Sequence, residues 1–516
     1  MKKIFYTLLT CVLLTTAGCQ GLDETTYSSF QGKDFYTEKS HLEAACMSIY
    51  TFFANSGGWE RNFHTMGTTQ CKYTFSNIDV HFLTHTANET SSQFNSVWNT
   101  YYSAINLAND VIANGRRAIS SNFPEEVVNQ YIAEARFMRA FCYYHLTALW
   151  GDVPLRLTPT LSTNVPMPRT PVAEIMEVAL EDLDFAIDNL PLQWTIKGRA
   201  TKKSAIFLKG RVMLQMAGKP LYRTDLYEEI IKTMGPLVRS PGAYNAGLVP
   251  RIADVFSNTN KNSDEVLLAW SGITDPSWGS QLPFLLLPLE HPMFGASAPV
   301  TAGGNFGMAE ELYHLFNNSD ERRNFLISRY TQKNSGNVQT YSSTTGGYGA
   351  RSQRGMGILK YTDPYSLTLS SAQNDKIVHR FSEAYLVFAE AYNEIGQPDS
   401  AAFYLNKVRV RANAALLPDS GNDYIAMKQE IRLERYLELF AEWSEIFDIR
   451  RLDEGAEHWR EQQYILLYYN NDQVPAGPGA GSPIDQTNYD PKWDLFPIPS
   501  NEMWYNTQIT VNNPGW

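Results

Sequence analysis

Four glutamates recur at every fourth position near the C-terminal end of the sequence: Glu430, Glu434, Glu438 and Glu442. This spacing places the carboxylates along one helix face, where they repel one another unless cations lie between them. Glycoside hydrolysis requires two carboxylates facing each other across a gap of about 5–9 Å, which a single helix face does not provide. The pattern therefore predicts a structural charge network. The arginines near enough in sequence to neutralise these carboxylates are Arg432, Arg435, Arg450 and Arg451.

Two further patterns resemble metal sites, and both are incomplete. His81 and His85 have the spacing of two ligands on a helix, but the glutamate and the third ligand of a zinc site are missing. Asp485, Asp490 and Asp494 could offer oxygen ligands to calcium, at a spacing that matches no known calcium loop. We therefore expect a protein that is not an enzyme, with no cofactor and no metal centre, and calcium binding stays open.

Aromatic residues make up 13% of the chain, and many lie in segments predicted to be loops. A pyranose ring presents a patch of C–H groups that stacks on an aromatic plane, while polar side chains bind its hydroxyls. The alternative is that these rings pin long loops onto the body of the protein. The candidate ligand-binding residues are Trp278, Trp59, Tyr73, Phe294, Asn305, Tyr341 and Arg351, with Phe284 and Asn374 as further candidates.

Trp278 is the first choice among these residues because turn residues flank it on both sides, in the run Asp275 to Ser280. Such a run favours a short, stiff tip over a buried position. The outer faces of the predicted helices are charged and their apolar stripes are committed to packing. We therefore expect ligand contacts on the loops before Trp98 and within 271–375.

The elements that position these loops are mainly helical. Apolar residues recur at steps of three or four over five stretches, each ended by turn residues: 42–53, 97–112, 124–149, 172–190 and 204–216. The stretch 271–375 contains 12 of the 33 glycines and lacks sustained periodicity, which predicts loops, short helices and short strands. We divide the chain into a helical scaffold over 19–270, a loop-rich insert over 271–375 that carries the ligand surface, and a second helical part with a tail over 376–516.

Helical periodicity resumes at Ile377, with an apolar stripe that continues to Ile395. Gly396 and the small residues Ala401 and Ala402 follow it. Small residues allow two antiparallel helices to approach closely, and glycine permits the tight turn between them. The pattern is typical of a tetratricopeptide-like helix hairpin.

The N-terminus has the features of a secretory signal over residues 1–18. Lys2 and Lys3 precede an apolar run that is too short to span a membrane. Small residues lead directly to Cys19, which resembles the lipidated cysteine of a bacterial lipoprotein. Asp23 and Glu24 resemble a signal for the cell surface. We expect a lipid-anchored protein exposed on the outer membrane.

The mature chain is acidic and offers no basic stripe for nucleic acid, since the formal net charge of the full sequence is −11. Cys46, Cys71 and Cys142 remain after Cys19 is used for the anchor, so at most one disulfide can form among them. Three free thiols are the alternative.

Several sequence blocks together resemble the SusD/RagB family of outer-membrane nutrient-binding lipoproteins, from Cys19 to Trp516. The blocks are Trp98 with Tyr101, Ile105 and Asn109; Glu134 to Ala140, leading to Trp150 to Leu155; Gly198 to Lys202; Arg380 to Ala384, through Ala389 to Ala391; Glu434-Arg435, Glu438-Leu439 and Phe447-Asp448; and Phe496 to Pro499, Glu502 and Asn513 to Trp516. The resemblance implies a mainly α, tetratricopeptide-like scaffold with an irregular insert that binds the ligand. It also implies a SusC-like TonB-dependent barrel as partner.

The chain departs from the family pattern after Glu442, where Trp443 and Glu445 replace the usual glycine and arginine. A tryptophan in place of glycine changes how the surrounding helices pack, or lies on the surface.

Three functions are consistent with the sequence. The first is the capture of an oligosaccharide and its delivery to the importer. The second is peptide capture by the same architecture, as in RagB-like relatives, and the third, which the sequence supports least, is a surface glycoside hydrolase. The identity of the glycan, its linkage and its affinity do not follow from the sequence.

Overall fold

The computed structural model describes residues 35–54, 71–74, 87–160, 165–293, 306–340, 356–452 and 491–516, apart from single positions within these ranges. In the N-terminal half of this part, long helices pack one against the next in chain order. Their bounds are α1 Lys39–Ala54, α2 Ser92–Asn114, α3 Glu125–Trp150, α4 Val172–Asn189, α5 Lys202–Ala217 and α6 Leu226–Arg239. The five predicted helices are confirmed, whereas α6 was not predicted. Its Gly235-Pro236 pair, which is typical of a helix stop, lies inside the last turns of the helix.

Helix α3 is the core of this half, because it is apolar around most of its circumference and most of its residues are buried. Its polar residues are paired. Arg139 donates to both carboxylate oxygens of Asp182 on α4, at 2.7 and 2.8 Å. Glu134 accepts from the Tyr50 hydroxyl at 2.7 Å and from the Arg199 guanidinium. These two groups tie α3 to the helices on either side.

The second half begins with a strand where a helix was predicted. Lys376–Arg380 forms β8, which pairs antiparallel with β2, Val266–Trp270. The prediction that the helix starts at Ile377 is therefore wrong. Four of the five residues of β8 are buried. A short run of buried residues fits a strand as well as the first turn of an apolar helical stripe, so periodicity alone did not distinguish them.

The tetratricopeptide-like hairpin follows directly and is confirmed. It consists of α9, Phe381–Glu394, and α10, Pro398–Ala412. Gly396 has φ +77°, a conformation that favours glycine, at the turn between them. Ala401 and Ala402 are fully buried, as close helix packing requires. Among the described residues, the second half also contains the helices α11 Tyr424–Glu438, α12 Glu445–Arg451 and α13 Ser500–Tyr505.

The described part of the insert consists of short elements, as predicted. They are α7 Leu282–Leu286, β3 Phe306–Met308, α8 Glu310–Leu315, β4 Leu326–Ile327, β5 Arg329–Thr331, β6 Val338–Thr340 and β7 Gly357–Ile358. The strands form small antiparallel pairs, including β4 with β7 and β5 with β6. Among the residues that the structure describes, no helix is both long and apolar enough to cross a membrane.

The predicted charge network is confirmed and lies where the insert meets the second helical part. Glu434, Glu438 and Glu442 are buried, and Glu430 lies nearer the surface. Helix α11 ends at Glu438, so Glu442 belongs to the turn that follows rather than to the same helix face. We call these glutamates and their partners the central ion-pair network.

The cations of the central ion-pair network come from distant elements. Arg322 binds Glu434 and Glu438, and Arg380 binds Glu438 and Glu442. The remaining cations of the network are Arg409, Arg411 and Lys360.

The sequence pointed to the wrong arginines. Arg435 and Arg451 bind Asp448, with further contacts to Glu383 and Glu390 respectively. Arg450 donates to the backbone carbonyls of Ala148 and Leu149. Arg432 forms no ion pair with the network's carboxylates among the described residues. Proximity in sequence did not identify the partners.

Burial alone would raise the pKa of Glu438. The contacts with Arg380, Arg411 and Arg322 instead hold that pKa well below its ordinary value of 4.5. The carboxylate is therefore charged at neutral pH, although its side chain is fully buried.

Candidate functional site

A strand pairing joins the two segments that were predicted to bind ligand. Strand β1, Cys71–Thr74, lies in the loop region before Trp98 and pairs antiparallel with β3 of the insert. Tyr73 is opposite Gly307 in this pairing. The backbones of the two segments therefore meet at one place.

The Trp278 loop, which we define as residues 271–280, presents its indole at the surface. Trp278 is 39% exposed as a residue and is among the exposed large hydrophobic residues of the protein. The Asp275 carbonyl accepts hydrogen bonds from the backbone N–H groups of Trp278 and Gly279, at 3.2 and 2.6 Å. The Asp275 side chain also accepts from the Ser277 N–H at 2.7 Å, so the turn is closed by its own backbone and one carboxylate.

Both ends of the Trp278 loop are fixed to neighbouring chain. Ser280 exchanges two backbone hydrogen bonds with Ala372, and the Lys261 ammonium donates to the Gly272 carbonyl at 2.6 Å. A Cβ atom at Gly272 would lie 2.5 Å from the Asn374 carbonyl oxygen, so only glycine allows this approach. The tryptophan therefore projects from a loop that is anchored at its base.

Two of the further candidates belong to the packing of the protein. Asn374 is fully buried, and its amide donates to the carbonyls of Phe256 and Thr362, both at 3.1 Å. Phe284 is partly buried against the hydrophobic core. Asn374 therefore belongs to the buried packing of the protein, and Phe284 lies between the core and the surface.

The segment that leads to Phe294 is held by a neutral histidine. Burial lowers the pKa of His291 to about 4. Its Nδ1 lies 3.2 Å from the Met293 backbone N–H and accepts a hydrogen bond from it. Met293 and Ile273 are exposed apolar residues in the insert, which also contains Trp278. Neither was predicted from the sequence, because only the aromatic rings give a sequence signal for sugar stacking.

The other candidates lie outside the residues whose side chains are described: Trp59, Tyr73, Phe294, Asn305, Tyr341 and Arg351. For Tyr73 the description is limited to the backbone of β1.

Several residues of the other predictions also lie outside the described residues: Cys19, His81, His85, Asp485, Asp490 and Trp443. Asp494 pairs with Lys219 at 2.8 Å, and Glu445 is buried in α12. Cys46 and Cys142 are buried free thiols. Within the described ranges, no group of three His, Cys, Asp or Glu side chains is placed to hold a metal ion.

Two protein-family models match the chain, one in each half. Residues 300–516 match the model described as SusD family, and residues 22–214 match the model described as "Starch-binding associating with outer membrane". The chain belongs to the SusD/RagB family. The two matches cover most of the first helical part, most of the insert and all of the second helical part, and they agree with the blocks that carried the resemblance.

SusD-like relatives match over most of the chain. The SusD-like protein P2 of Formosa agariphila is 24% identical over 550 residues and covers 100% of both chains. A SusD-like protein of Bacteroides ovatus is 25% identical over 473 residues, covering 87% of this chain and 82% of its own.

Solved structures share the SusD-like fold. A SusD homolog from Bacteroides thetaiotaomicron has a TM-score of 0.77 at 20% identity and covers 94% of this chain and 98% of its own. A structure named "Laminarin binding SusD-like protein" has a TM-score of 0.71 at 22% identity, covering 93% of this chain and 100% of its own.

Proposed function

We propose that this protein captures an oligosaccharide on the cell surface and delivers it to a SusC-like TonB-dependent importer of the outer membrane. The observation that carries the proposal is the exposed Trp278 indole on a loop that is closed by its own hydrogen bonds and fixed at both ends. A flat apolar ring held in place suits the C–H face of a sugar, because the protein loses little conformational freedom when the sugar binds.

A strand pairing between the two candidate segments supports the same function. The β1–β3 pairing brings the segment before Trp98 to the insert, so residues from both segments can line one ligand surface. One SusD-like relative is named for laminarin binding, and another structural relative is named a surface glycan-binding protein. A sugar ligand is therefore the class that we favour for this surface.

The test is an array of glycans and peptides probed with the whole mature chain, carrying Cys19→Ala so that it is soluble. We expect binding to one family of oligosaccharides and none to the peptides. Binding to peptides alone would replace the proposal with the RagB-like alternative. Release of new reducing ends from a bound glycan would show a hydrolase.

The lipid anchor and the barrel partner form the second half of the proposal, and one preparation tests both. We expect the unaltered protein to stay with outer membranes after high-salt and carbonate washes, and Cys19→Ala to be lost from them, because two or more acyl chains give stable attachment. Extraction in mild detergent should bring down a large TonB-dependent barrel. A Cys19→Ala protein that stays bound would refute the anchor, and recovery of the monomer alone would refute the stable partner.

A further inference from the structure

A cavity of about 660 Å³ lies at the end of the scaffold where α3 and α5 terminate, beside the start of α4 and the C-terminal segment. Its volume falls within the range of about 300–1,000 Å³ that is usual for small-molecule sites. The cavity is separate from the Trp278 loop. Ser204, near the start of α5, donates to the Leu267 carbonyl of β2, which leads into that loop. Gln215 lines the cavity about 16 Å further along the same helix.

One wall of the cavity carries an unsatisfied hydrogen-bond acceptor. Gln215 is 6% exposed, and its Oε1 atom accepts no hydrogen bond from the described protein. A buried acceptor without a donor is unfavourable, so a bound molecule that donates an O–H to it would be stabilised.

The cavity is also lined by a cation, Arg169, that forms no ion pair with any carboxylate among the described residues. The Arg169 guanidinium donates through Nε to the Asp152 carbonyl at 2.7 Å and through Nη2 to the side-chain oxygen of Asn513. No described carboxylate lies within 4.0 Å of it; the Asp152 carboxylate is near enough to attract the guanidinium, but it accepts its hydrogen bond from the Val172 N–H at the start of α4. Burial lowers the pKa of Arg169, as expected for a charge that is only partly compensated. An anionic group would compensate it through the remaining N–H donors.

The apolar part of the lining is rich in sulfur. Met176 and Met216 contribute thioethers, and Leu221 and Leu495 contribute branched chains. Thioether sulfur makes favourable contacts with aromatic rings. Lys219 and Asp494, which also line the cavity, pair with each other and add no net charge.

We propose that this cavity is a second binding site, for a small aromatic acid that carries a hydroxyl group. The carboxylate binds Arg169, the hydroxyl donates to Gln215, and the ring contacts the two methionines. The site is independent of the glycan surface, and the proposal does not rest on the function assigned to the Trp278 loop.

Three related probes test the proposal by calorimetry on the whole mature chain with Cys19→Ala: para-hydroxyphenylacetate, its methyl ester and phenylacetate. We expect one saturable site for para-hydroxyphenylacetate. The ester should bind about tenfold more weakly because it has no charge for Arg169. Phenylacetate should bind about fivefold more weakly because it leaves Gln215 without a donor.

Variants separate recognition from packing. Arg169→Gln should weaken the acid about tenfold and leave the ester unchanged. Gln215→Met, which keeps the volume, should reduce para-hydroxyphenylacetate to the affinity of phenylacetate without lowering the melting temperature. Arg251→Gln is the matched control, since that arginine is exposed and pairs with Asp254 outside the cavity. Absence of saturable binding, equal losses for acid and ester in Arg169→Gln, or the same loss in Arg251→Gln would each overturn the proposal.

Discussion

Glu438→Gln is expected to lower the free energy of unfolding by about 3–5 kcal/mol, because it removes one partner from a buried group of charges. Glu438 is fully buried and binds Arg322, Arg380 and Arg411. A neutral amide would leave these three guanidiniums with fewer carboxylates in a region that water does not reach. Urea unfolding, followed by circular dichroism, measures the loss as a lower midpoint.

Glu430→Gln on the same helix is the matched control. Its side chain is 38% exposed and binds only Arg409 within the central ion-pair network, at 2.6 Å. Exposed pairs contribute less than about 1 kcal/mol, so this variant should unfold close to the unaltered protein. Equal losses in the two variants would show that burial does not set the strength of the network.

Acid provides a second measurement of the same effect. The pKa of Glu438 is held below its ordinary value of 4.5, so its contribution to stability is present above that pH. It is lost as the pH falls through the lower pKa of the folded state. The unfolding midpoint of the unaltered protein should therefore fall more steeply below pH 4.5 than that of Glu438→Gln, which has no carboxylate to protonate.

The helices were predictable because their apolar residues recur at helical spacing, which is a local property of the sequence. The partners of the central ion-pair network were not predictable in this way. Arg322 is separated from Glu434 by 112 positions, and Arg380 from Glu438 by 58. The fold brings them together, and no pattern near α11 identifies them.

The start of the second half shows a limit of periodicity. Ile377 and Phe381 fit one helical stripe, yet the chain is a buried strand up to Arg380 and a helix only after it. A short apolar run fits both structures until its pairing partner is known. That partner, β2, lies more than one hundred positions earlier.

The candidate site was predictable only where local turn chemistry determines the conformation. The turn residues around Trp278 indicated an exposed ring, and the structure places the ring at the surface. The pairing of β1 with β3 could not be predicted, because each strand is only a few residues long and the two lie far apart in the chain. The aromatic residues of the remaining loops follow no periodic pattern that fixes their positions.

Trp278→Ala is expected to weaken binding of the oligosaccharide found on the array by about 5- to 150-fold, or about 1–3 kcal/mol, as for other aromatic anchors. The loss comes from the stacking surface, since the backbone hydrogen bonds that close the loop do not involve the indole. The melting temperature should therefore change little. Calorimetric titration of the glycan and a thermal melt of each protein measure the two quantities.

Phe403→Ala provides the control, because Phe403 is an aromatic side chain that is 55% exposed on α10, outside the insert. It should leave glycan affinity unchanged. If Trp278→Ala instead lowered the melting temperature clearly and left affinity unchanged, the indole would serve to pin the loop onto the protein. The glycan would then have to stack elsewhere on the surface where β1 meets the insert, and Trp59 and Tyr73 would be the next rings to replace.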